Sequence, residues 1–145
     1  MHSTMSKPAL SSAADAFAAI ALAAVACDGE LSPSEARALR QHLEFRQPFC
    51  AYGDGEMVAL LDRLLLILRE QGCEALVAQA VPLLQGEQRQ TALAVAVSLT
   101  QADHVQTTDE ARFLQGLGQQ LAIAPERVAV ILDVIALLNR DSLAE

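Results

Sequence analysis

From residue 57 to residue 68 the apolar positions Met57, Leu60, Leu61, Leu64, Leu65 and Leu68 recur at intervals of three and four, the spacing that lines one face of an α-helix. The same period can be read along most of the chain. An Ala-rich apolar run predicts a first helix over about 13–27, stopping at Asp28-Gly29, because glycine accepts the positive φ found just past a helix end. Ser32-Pro33-Ser34-Glu35 opens a second helix, with Ser32 as N-cap, Pro33 at N1 and Glu35 at N3, the capping-box spacing. That helix reaches about Arg46, where Gln47-Pro48 ends it, since the residue before proline avoids the α region. A loop, PFCAYG, follows, and Asp54 is the expected N-cap of a third helix ending near Gly72. Residues 73 to 85 read as a linking helix that Pro82 kinks or shortens.

After Gly86 the pattern starts again. QTALAVAVSLTQA (90–102) matches DAFAAIALAAVAC (15–27), and QADHVQTTDEARFL (101–114) matches ACDGELSPSEARAL (26–39), both at an offset of 75. PERVAVILDVIALL (125–138) then echoes GEMVALLDRLLLIL (55–68) at an offset of 70, so the second copy has lost about five residues between helices. The repeat predicts a fifth helix over about 88–102, a sixth from N-cap Thr107 to about Leu121 with Glu110 at N3, and a seventh with Pro125 at N1. The expected fold is therefore an all-α bundle of about seven helices in a single domain, 1–145. Its halves, about 13–72 and 88–140, are related by a pseudo-two-fold, and residues 1–8 form a loose tail.

Composition supports this reading. Hydrophobic residues are 52% of the 145, mostly Ala, Leu and Val, while aromatics are 3%; small and unbranched side chains favour helix. A chain of this length buries roughly 68% of the surface its unfolded form exposes, so its core needs no metal or disulfide. A formal charge of −8 with scattered Lys and Arg argues against nucleic acid as a partner.

AFAAIALAAVAC resembles the apolar part of a signal peptide, but its match to residues 91–102 makes it half of a duplicated fold. It is too short to span a bilayer, and VALLDRLLLIL carries Asp62 and Arg63 in its middle. The expectation is a soluble cytoplasmic protein without membrane insertion. Cys27, Cys50 and Cys73 form no C-x-x-C pair, which points to reduced thiols, with Cys27 a buried helix residue.

Two acidic corners are the main candidates for chemistry. Glu35 and Glu110 at N3 are explained as capping carboxylates facing the positive end of a helix. Asp28 and Asp103 instead face a helix C-terminus, where a negative charge costs roughly 0.3–1 kcal/mol. Either loop N–H groups near 30–32 and 105–107 offset that cost, or the corners meet and a divalent cation does. Asp28, Glu35, Asp103 and Glu110 together offer four to eight oxygens, a number that suits calcium, or manganese or magnesium with added water. The spacing is not that of an EF-hand, so such a site has to span both corners. His104, beside Asp103, is read as a residue that tolerates a left-handed turn. No phosphate-binding glycine loop, nucleophile elbow or zinc helix occurs, so no enzyme activity is expected.

The Ala-rich helix, Asp-Gly, then Ser/Thr-x-x-Glu, duplicated in ACDGELSPSE and QADHVQTTDE, resembles the TerB-like tellurite-resistance family over about residues 13–140. His104 departs from the pattern where the first copy has Gly29. The resemblance implies an all-helical cytoplasmic protein without defined catalytic activity, acting in metal or oxyanion stress. The expected function is a non-catalytic stress-response module with a cation site across the corners. A helical surface would serve a protein partner, which a membrane-associated component of the stress system would fit. The alternative is a purely structural or interaction domain whose corners are only helix caps.

Overall fold

The computed structural model describes residues 9–101 and 108–145. Among these it contains seven α-helices, two short 3₁₀ turns and no strand. The helices are α1 (Ala13–Ala26), α2 (Pro33–Glu44), α3 (Asp54–Gln71), α4 (Cys73–Ala80), α5 (Gly86–Thr100), α6 (Thr108–Gln120) and α7 (Pro125–Leu138). The 3₁₀ turns are Phe49–Ala51 and Val81–Leu83. The fold class expected from periodicity is correct.

Helix α1 is the axis of the bundle. Ala16 and every residue from Ala18 to Ala23 are fully buried, as expected of a helix that is apolar all round. Its alanines leave room for α5 and α4, its principal neighbours, and α2 and α3 also pack on it. The run that looks like a leader is thus the centre of the core. Helix α5 carries the same kind of surface, with Leu93, Ala96 and Val97 buried, and packs on α6 and α7 as well as α1. Helix α1 thus packs on α2 and α3, and α5 on α6 and α7.

Local signals place most helix ends. Ser32 and Glu35 form the reciprocal capping box, Pro33 and Pro125 sit at the starts of their helices, and Gly29 has φ +90°. Four boundaries differ from expectation. Asp54 is the first residue of α3, not its cap; Gly53 holds the cap position, and its N–H is accepted by Glu56 Oε1. Helix α5 starts at Gly86, two residues early, where Gln88 Oε1 accepts the Gln85 N–H. Helix α2 ends at Glu44, and a cis Gln47–Pro48 bond follows. Pro82 stops the linking helix instead of kinking it, confining the remainder to a 3₁₀ turn. The proposed cap Thr107 lies outside the described residues.

Two arginines fasten the helices. Arg63 Nη2 donates to Asp15 Oδ1 at 2.7 Å, tying α3 to the start of α1. Arg89 donates from Nε to Leu84 O (2.8 Å), from Nη2 to Val81 O (2.9 Å) and from Nη1 to Leu121 O (3.2 Å). It thus joins carbonyls at the ends of helical segments, Val81 O also accepting the Leu84 N–H.

Candidate functional site

The first acidic corner sits where α1 hands over to α2. Gly29 turns the chain, and Asp28 Oδ1 accepts the Glu30 N–H at 3.0 Å. Glu35 Oε1 accepts the Ser32 N–H at 2.9 Å, while Ser32 Oγ accepts the Glu35 N–H at 3.1 Å. Asp28, Glu30 and Glu35 line an open cavity of about 360 Å³ together with Arg69, whose Nε donates to Gly29 O. A cationic side chain from α3 is therefore part of this acidic corner. In the second corner Glu110 lies in the first turn of α6; Asp103 and His104 lie outside the described residues. Among the described residues no three His, Cys, Asp or Glu side chains group as a metal site.

Beside Asp28 the cysteine expectation is overturned. Cys27, the C-cap of α1, is exposed and forms a disulfide with Cys73 at the start of α4. The packing of α4 on α1 brings together residues 46 apart, a proximity that spacing in the sequence does not reveal. Cys50 is the free, exposed cysteine.

A second region, unmarked by any motif, gathers most of the chain's aromatic residues. Of the four Phe and one Tyr, Phe17, Phe45, Phe49 and Tyr52 form a connected group. Arg46 lies within it: its Cζ is 5.4 Å from the Phe17 ring centroid and 4.8 Å from that of Phe45, distances at which a cation is attracted to the ring face. Arg46 Nε donates to His42 O at 2.9 Å, which fixes the guanidinium against the last turn of α2. The chain PFCAYG, expected as a plain loop, supplies Phe49 from a 3₁₀ turn and Tyr52 beside it. The available signal was the density of aromatic residues between 45 and 52 in a chain otherwise poor in them.

Arg46 borders two cavities. One, of about 380 Å³, lies between the start of α1, the Pro48-Phe49 turn and α5, lined by Phe17, Phe49, Leu84, Gln88 and Thr91 among others. The other is a more open groove of about 320 Å³ between α2, α5 and α7, lined by His42, Phe45, Ala94, Val95, Ser98 and Ile135. Burial and, second to it, the neighbouring Arg46 charge hold the His42 pKa below the ordinary histidine value, which favours the neutral imidazole.

No helix among the described residues is long and apolar enough to cross a membrane. Comparisons with protein-family models, with curated proteins and with solved structures find no match to this chain.

Proposed function

We propose that this chain is a non-catalytic helical binding module that receives an amphipathic helix of a protein partner in the groove between α2, α5 and α7. The observation that carries this reading is the apolar rim of that groove. Phe45, one of its lining residues, is 70% exposed, and Ala94, Val95 and Ile135 continue the apolar lining. Large apolar side chains grouped at a groove mark interaction surfaces, and a helix laid in such a groove buries a stripe of side chains at helical spacing. The test is affinity capture with the purified protein as bait, comparing wild type with Phe45→Glu. A protein retained by the first and lost with the second supports the groove; equal recovery with both bears against it.

The acidic corners are read as helix-turn devices, because Asp28 and Glu35 each accept a local backbone N–H. A cation spanning Asp28, Glu35, Asp103 and Glu110 is the second reading, favoured by the acid-lined cavity at the first corner. A stress-response role and a membrane-associated partner rest on the TerB-like resemblance. The Cys27–Cys73 disulfide favours an oxidising compartment over the cytoplasm.

A further inference from the structure

Of the three arginines that are not exposed among the described residues, Arg40 pairs with Glu44 and Asp54, and Arg89 is spent on three carbonyls. Arg46 differs: its Nε is bonded to His42 O, its face lies against two rings, and no hydrogen bond or ion pair among the described residues ends on Nη1 or Nη2. In a chain with 18 acidic and 10 basic residues, a held guanidinium with its outer edge uncommitted is conspicuous. We infer that the cavity between α1, the Pro48-Phe49 turn and α5 binds a small organic monocarboxylate with an apolar body, its carboxylate held by Arg46.

Three features select that chemistry. The two Nη groups, uncommitted among the described residues, form one edge of the guanidinium fork, which matches the two oxygens of a carboxylate. Phe17, Phe49 and Leu84 give the cavity an apolar wall for the ligand body, while Gln47, Gln88 and Thr91, whose hydroxyl donates to Glu87 O, add polar groups beside Arg46. Glu87 also lines the cavity, and one arginine beside one glutamate in a chain of net charge −8 favours a monoanion over a phosphate dianion. The cavity, about 380 Å³, is in the lower part of the range for such sites. It reaches toward α1 and the partner groove toward α7, the two sharing Arg46 and Thr91.

The test uses three acids, phenylacetate, 4-phenylbutyrate and octanoate, each against its neutral amide, titrated into ¹⁵N-labelled protein. At least one acid is expected to saturate with shifts centred on the Leu84 and Gln88 amides, which line this cavity and not the partner groove, binding at least tenfold more tightly than its amide. Arg46→Gln removes that preference, and Ala13→Leu, which fills the cavity, weakens acid and amide alike. The proposal is overturned if none of the acids saturates, if acid and amide bind equally, or if the preference survives Arg46→Gln. Should Arg46→Gln fail to fold, unweakened acid binding by Ala13→Leu is itself the overturning result.

Discussion

Arg63, on α3, reaches across to Asp15, whose side chain is only 7% exposed, and bonds its Oδ1 at 2.7 Å; Ser11 N–H and Oγ meet the other oxygen, at 3.3 and 3.2 Å. The acid at the mouth of the Ala-rich run is therefore a partnered anchor that fixes where α1 begins. Removing Arg63 leaves a buried carboxylate short of its only cationic partner among the described residues. Because the arginine is itself 43% exposed, solvent screening discounts the loss, and Arg63→Met is expected to cost about 1–2 kcal/mol. Urea denaturation of the two proteins measures it.

The disulfide gives a chemical signature. Under native conditions thiol titration should find Cys50 alone reactive, with Cys27 and Cys73 appearing only after reduction. Closing a loop of 46 residues restricts the unfolded chain, which in the chain-entropy account is worth about 4 kcal/mol. Reduction should lower the denaturation midpoint accordingly. Three reactive thiols in the untreated, folded protein would contradict the bridge.

Gly118 on α6 lies so close to α7 that a Cβ there would stand 2.8 Å from Val128 Cγ2. Val128 is buried and borders a cavity of about 270 Å³, so relief of the contact requires its side chain to turn toward that space. Gly118→Ala is expected to destabilise by about 1–3 kcal/mol through overpacking, less the up to about 1 kcal/mol that alanine gains over glycine within a helix. Gly118→Ala combined with Val128→Ala should recover part of the loss, a coupling that a double-mutant cycle reads.

His42 sets a pH dependence. Its pKa is lowered in the folded state by burial and by Arg46, so between the lowered value and the ordinary value of about 6.5 the unfolded chain binds more protons. The stability linked to this residue is complete above about 6.5 and is lost as pH falls through the folded value. Denaturation midpoints across that window should fall toward acid, and His42→Gln should flatten that part of the profile.

Much of the fold was legible because its signals are local. Ser32, Pro33 and Glu35 specify a helix start within four residues, Gly29 specifies a turn by itself, and Met57, Leu60, Leu61 and Leu64 mark a buried face by their spacing. Glu35 was legible as a cap for the same reason. The Cys27–Cys73 bridge, the three carbonyls gathered by Arg89 and the two rings near Arg46 depend on which helices pack together. No short stretch of chain encodes them. Phe17 and Phe45 meet Arg46 only because α1 and the end of α2 converge there.

The two readings of the acidic corners separate on titration with calcium, manganese and magnesium. If Asp28 and Glu35 act only as turn and cap, the melting temperature stays where it is. A cation held across both corners would instead add about 2.7 kcal/mol at 100 times its dissociation constant, and Asp28→Asn would abolish the gain.

The groove is tested most directly by a photo-crosslinking amino acid placed at Phe45, with a control at Leu66, an exposed apolar position on α3. Irradiation of cells carrying each variant should give a discrete adduct with one protein from position 45 and none from position 66. An absence of any adduct at 45, or the same adducts from both positions, would contradict a partner-binding groove between α2, α5 and α7.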